Sequence, residues 1–179
     1  METQPRSLLV HSLIYGLILG ALLIVVSLIY YILDVNMFGL GFIFLNLFIM
    51  LAVVIVVMLL GAKSFRDKYL GGKIDFKQCF FIGLIIGLVG FIISVLYNFI
   101  FMSYIEPGMM EESVNQFIEK WGDKMTEEQL DDAINKMQSR LTPASQIRSG
   151  ATSGIIMSVL FSLIVSLFVK KDTAASDLT

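Results

Sequence analysis

Four long stretches without a charged residue divide the chain: Ser7 to Leu33, about Phe38 to Ala62, about Cys79 to Ile105, and Ser149 to Val169. A bilayer hydrocarbon core of about 30 Å needs about 20 residues of helix at 1.5 Å rise per residue. All four stretches meet that length. They predict an all-α integral membrane protein, a four-helix bundle forming a single membrane domain over residues 1–179, with spans near 7–33, 38–62, 79–105 and 149–169. The first stretch does not read as a cleaved signal. A signal core is about 7–15 residues and ends in small residues, whereas this one runs into Tyr30-Tyr31-Ile32-Leu33-Asp34. His11 falls near its inner end and reads as a polar residue at interface depth. The Asp34–Met37 link is so short that helices one and two must form an antiparallel hairpin.

Residues 106–148 are too polar to span and too patterned to lack structure. Met110, Val114, Phe117 and Trp121 share one helical face after Pro107-Gly108, and that helix ends near Gly122. Thr126 and Gln129 have the spacing of a capping box. Leu130, Ile134, Met137 and Leu141 then make a second apolar stripe. Thr142-Pro143 supplies a cap and a first-turn proline for a helix running unbroken from Ala144 to Val169. The insert is therefore an amphipathic helical hairpin between helices three and four. Its stripes can bury on each other, on the membrane surface or on a partner.

Composition agrees with the pattern. The chain is 56% hydrophobic and 16% charged, against about 45–50% and about 25% for a soluble domain. Net charge is −2, and its distribution says more than its total. Segment 63–77 carries Lys63, Arg66, Lys68, Lys73 and Lys77 against Asp67 and Asp75. Arg6 precedes helix one, and Lys170 and Lys171 follow helix four. With four spans these segments share a side, and the excess of Lys and Arg makes it the cytoplasm. The 106–148 insert, with nine acidic and five basic residues, is then extracytoplasmic. Tyr30, Tyr31, Tyr97 and Tyr104 sit near the outer ends of helices one and three, as an interfacial belt requires.

Small residues mark packing surfaces. Gly16 and Gly20 lie one turn apart on helix one, and Gly83 and Gly87 on helix three. Helix four carries Gly150, Gly154, Ser158, Ser162 and Ser166 at four-residue steps. Such residues let backbones approach closely in lipid, where packing rather than hydrophobicity drives association. Helix two has no such stripe, so more lipid contact is expected of it. Helices one and three also match at a constant offset: Gly16 with Gly83, Gly20 with Gly87, Ser27 with Ser94, Tyr30 with Tyr97. The match reads as two copies of a helical hairpin in parallel, the second interrupted by the insert.

Candidate chemistry is sparse. None of the four spans contains Asp, Glu, Lys or Arg, the residues that mark intramembrane ion and substrate pathways. Asn46 and Asn98 are the deepest strongly polar side chains, fit to bond between helices or to line a polar path. One cysteine, Cys79, excludes an internal disulfide, a CxxC pair and a cysteine metal cluster. Glu127, Glu128, Asp131 and Asp132 lack the loop spacing and glycine of an EF-hand and read as a solvated helix face. There is no nucleophile elbow, P-loop or HExxH. No enzyme activity, cofactor, metal or nucleic-acid partner is expected.

The stretch Tyr69 to Gly83 contains Gly72, Ile74, Phe76 and Phe80 in a G-x-I-x-F-x-x-x-F arrangement leading into helix three. This element resembles one in the bacterial domain-of-unknown-function 4199 family. The layout of four spans with a polar insert between the third and fourth is also similar. The resemblance covers about residues 8–170 and implies a bacterial inner-membrane protein without an established activity, associated with a glycosyltransferase system. In physical terms Gly71-Gly72 can make a turn, Asp75 can cap a helix starting at Phe76, and Ile74 and Phe76 can anchor the segment.

Two function classes remain after enzymes. One is a non-catalytic scaffold, assembly or modulatory subunit bound to another membrane protein. The other is a small homo-oligomeric transporter or lipid-binding protein for a neutral or lipidic substrate. Small four-helix exporters that dimerise rely on an intramembrane carboxylate, which is missing here, so the first class is favoured.

Overall fold

The computed structural model describes residues 5–35 and 39–169, with backbone only at 5–7, 110, 141 and 143. The expected contributions of Arg6, Met37, Met110, Leu141, Lys170 and Lys171 therefore lie outside the described residues and side chains. Six α-helices follow in order: α1 (Pro5–Ile32), α2 (Leu40–Tyr69), α3 (Phe76–Ile100), α4 (Met109–Trp121), α5 (Glu127–Leu141) and α6 (Pro143–Val169). Four of them, α1, α2, α3 and α6, are long and apolar enough to cross a membrane. Their outward surfaces are apolar along much of each span, with Ile18, Val56, Ile92 and Leu160 about half exposed. In water such a surface would be untenable. In lipid it is the solvent-facing side.

α3 is the central helix. α1 packs along it in parallel, α6 packs along it antiparallel, and α2 closes against all three. The α3–α6 seam holds one register for its whole length. Cys79 lies beside Ser166, Gly83 faces Ser162, Gly87 faces Ser158, Phe91 faces Gly154 and Val95 faces Gly150. The small residue changes helix halfway, from α3 at one end to α6 at the other. A Cβ built on Gly154 would lie 2.9 Å from Phe91 Cβ, and one on Gly150 would lie 2.7 Å from Val95 Cγ2. On the other flank, Gly16 faces Val89 and Gly20 faces Ile93, with hypothetical Cβ distances of 2.6 and 2.8 Å. Gly90 of α3 returns the contact by receiving Leu19.

The glycines aligned between helices one and three are thus used differently. Gly16 and Gly20 meet α3, whereas Gly83 and Gly87 meet α6. If the two hairpins packed alike, Gly16 and Gly20 would face α2 instead. The similarity of sequence does not extend to equivalent packing.

α2 divides into two parts. Val54, Val57, Met58, Ala62 and Phe65 are buried in the common core with Leu19, Ile82, Ile86 and Val165. Its first turns stand free, with Phe44 69% and Phe48 72% exposed. The expectation of more lipid contact for helix two holds, since it is the least buried of the four spans and only one face of its second half enters the core. α2 also runs beyond Ala62, to Tyr69, so Lys63, Arg66 and Lys68 stand on a helix rather than in a loop. Gly71 and Gly72 end it with φ of 61° and 89°. Two successive left-handed residues are readily adopted only by glycine.

Asp75 then starts α3. Its carboxylate accepts from Gln78 N at 2.6 Å while Gln78 Oε1 accepts from Asp75 N at 3.4 Å, a reciprocal capping box. Thr126 and Gln129 make the same arrangement for α5. α1 ends in a Schellman-type closure: Val35 N donates to Tyr30 O, Asp34 N donates to Tyr31 O, and Asp34 takes φ 47°.

Candidate functional site

Three places in the bundle bring polar or reactive groups together. At the end of the bundle where α2 meets α3, His11 is 8% exposed, and its Nε2 lies 2.9 Å from Gly61 O on α2. A carbonyl only accepts, so this nitrogen carries the proton in that contact. Tyr15, Phe65 and Tyr69 surround the imidazole at ring-centroid distances of 4.8, 5.3 and 5.7 Å. Gly61 permits the approach: a Cβ there would meet Ile86 Cδ1 at 2.5 Å and Tyr15 Cγ at 3.1 Å. The sequence puts His11 at the lipid interface. The structure makes it a buried interhelical link between α1 and α2 instead, because the missing Gly61 side chain opens a space that a ring can fill.

In the middle of the bundle α3 and α6 are tightly packed. Ser158, Ser162 and Ser166 are fully buried. Their hydroxyls donate to carbonyls of their own helix, Gly154 O at 2.6 Å, Val159 O at 2.9 Å and Ser162 O at 2.5 Å. Back-bonding of this kind satisfies a hydroxyl in a dry interior and leaves a nearly apolar contact surface. Asn98 does the same. Its Nδ2 donates to Ser94 O at 2.8 Å from an exposed position, so it does not bridge helices. Asn46 stands on the free half of α2 with Oδ1 buried and without a hydrogen-bond partner among the described residues. The two asparagines are not brought together.

At the opposite end, where α3 meets α4, an irregular segment builds the third place. α3 passes into one turn of π-helix, Phe101–Ile105, closed by Glu106 N donating to Phe101 O at 2.8 Å. The widened turn shifts the helical phase of the chain beyond it. It turns Phe101 inward onto Tyr31, 5.0 Å between ring centroids, and carries Glu106 to the end of α1. Tyr31 Oη donates to Glu106 Oε2 at 2.8 Å. Beside this bond lies a cavity of about 260 Å³ between α1, Glu106 and the start of α4, with Tyr30, Asp34, Glu112 and Gln116 in its wall. Three carboxylates and no cation line it. Among the described residues no three His, Cys, Asp or Glu side chains converge as a metal site. Periodicity could not reveal this cavity, because a π-turn leaves no signature in the spacing of apolar residues.

A protein-family model described as protein of unknown function (DUF4199) matches residues 14–171. The chain belongs to the DUF4199 family. No curated protein and no solved structure matches it.

The element that carries the resemblance joins α2 to α3 in this DUF4199 protein. Gly72 completes the left-handed turn. Ile74 is 2% exposed and joins the core with Phe65 and Val169, deeper than the interfacial anchor expected of it. Phe76 and Phe80 stack one helical turn apart, 6.4 Å between centroids and 10° between planes. The four residues shape the entry into α3.

Proposed function

We propose that this DUF4199 protein is a non-catalytic membrane subunit: a scaffold, assembly or modulatory component of a larger membrane complex. The observation that carries the reading is the closed α3 seam. Its helices are in close contact from Gly83–Ser162 to Val95–Gly150, and no ionisable group lies between those contacts. Transport requires a path with somewhere for a polar or charged species to rest, and catalysis requires a nucleophile, base or metal in reach of a pocket. A rigid seam with back-bonded serines offers neither. It does give a fixed platform from which α4 and α5 project, with Glu111, Glu112, Glu119, Asp131 and Asp132 exposed for a partner.

In this reading the protein sits in the bacterial inner membrane with both termini cytoplasmic. The Lys63–Lys77 segment gives the orientation by its excess of basic residues, and α4–α5 is then extracytoplasmic. A glycosyltransferase system is the partner class to test first. Gentle extraction from native membranes, followed by affinity purification and mass spectrometry against an untagged control, tests the proposal. One stoichiometric membrane partner is expected. Substrate flux in liposomes holding the purified protein alone would overturn it. Lipid binding is a second reading, favoured by a groove between α3 and α6.

A further inference from the structure

An open apolar groove of about 280 Å³ runs between the outer halves of α3 and α6. Its floor exists because one wall is small: Gly150, Ala151 and Gly154 of α6 stand opposite Leu88, Ile92 and Leu96 of α3. Ile92, Leu96 and Ile155 are each more than half exposed, so the groove faces lipid and no described helix of the chain covers it. Lining atoms are almost wholly apolar, which suits a hydrocarbon chain and no polar solute.

Charge appears only at one end. Arg148 is exposed, and it shares a helical face with Ala151 and Ile155, three and seven residues further along α6. It therefore stands about two turns above Ile155, on the groove's own side, toward the membrane surface. Among the described residues Arg148 has no ion-pair partner, unlike Arg66, which is held by Asp67. A guanidinium at headgroup level above an acyl-width groove is the complement of one molecule type: a lipid with an anionic phosphate and a long chain. Both leaflets present phosphates, so the match does not depend on orientation.

We propose that the α3–α6 groove binds one membrane phospholipid, its acyl chain along Ala151 and Ile155 and its phosphate on Arg148. The site is independent of the subunit reading and would persist in the protein purified alone. Binding there would fill the surface beside the Val95–Gly150 and Phe91–Gly154 contacts and brace the outer half of the seam.

The test uses full-length protein in detergent, stripped of lipid and titrated with phosphatidylglycerol, read by native mass spectrometry. One phosphatidylglycerol is expected to stay bound under activation that removes all others. Ala151→Phe, which fills the groove from an exposed position, should abolish that adduct. Arg148→Gln should weaken it about fivefold, the effect of one basic residue at a membrane surface. R148Q lies on the exposed start of α6, so the proposal stays testable if A151F does not fold. A gradual series of adducts unchanged in both variants would mean ordinary boundary lipid and would overturn the proposal. So would a dimer that A151F converts to monomer, which would make the groove a contact between two copies of this chain.

Discussion

Gly87 of α3 and Ser158 of α6 meet so closely that a Cβ on the glycine would lie 2.6 Å from the serine Oγ. The same hypothetical atom would lie 2.7 Å from Met58 Cε of α2. Three helices therefore converge where one residue has no side chain. Gly87→Leu should force the helices apart, at a cost of about 1–3 kcal/mol or more for overpacking. We expect loss of the monodisperse species and a clear drop in melting temperature in detergent. Gly41→Leu is the control, because nothing lies within 4 Å of that Cβ position. Equal behaviour of the two variants would refute the seam.

His11 links α1 to α2 through Gly61 O. His11→Phe keeps a ring among Tyr15, Phe65 and Tyr69 but removes the hydrogen bond. It should cost about 1 kcal/mol. His11→Ala should cost more, because it also empties the space between the rings, typically about 3 kcal/mol for an aromatic truncation. Thermal unfolding in one detergent would rank wild type, H11F and H11A in that order. A polar residue merely facing the headgroups would give three similar curves.

Tyr31 and Glu106 join the end of α1 to the entry of the hairpin. Tyr31→Phe removes only the hydroxyl. Hydrogen exchange in Met109–Trp121 should quicken by about fivefold, the loss of a hydrogen bond worth about 1 kcal/mol. Exchange in α3 and α6 should stay unchanged. Faster exchange throughout the protein would show that the bond supports the bundle rather than the hairpin.

Ser139 is exposed on α5, and Cys79 is fully buried. A cysteine at position 139 in a Cys79→Ala background should react with a membrane-impermeant thiol reagent in intact cells. Reaction only after lysis would place the hairpin in the cytoplasm and reverse the orientation.

Much of the fold can be read along the chain, for reasons visible at particular residues. Helix starts with local chemistry are legible: Thr126 and Gln129 close on each other within one turn, and Asp75 caps α3 as expected. Span lengths follow from the absence of charge. The end of α2 is less legible, because Lys63, Arg66 and Lys68 continue a helix as readily as they start a loop. The π-turn at Phe101–Ile105, which brings Phe101 against Tyr31, is not legible at all, since one widened turn leaves no trace in the spacing of apolar residues.

The candidate places divide in the same way. Gly83, Gly87, Gly150, Gly154, Ser158 and Ser162 stand out by four-residue spacing, a property of one helix at a time. Which helix each one meets is a property of pairs. Apolar residues in lipid are interchangeable in their affinity for surroundings, so spacing says that a surface is small and not what fills it. His11, Asn98 and Arg148 differ in meaning for that reason. His11 meets Gly61 on α2, Asn98 meets Ser94 on its own helix, and Arg148 stands exposed on the face of α6 that carries Ala151 and Ile155. Hydrophobic length and charge set the number of spans, because burying a charge in hydrocarbon is costly wherever it occurs. Packing around α3 set everything that depends on which surfaces meet, because contacts between backbones act over ångströms and leave no periodicity behind.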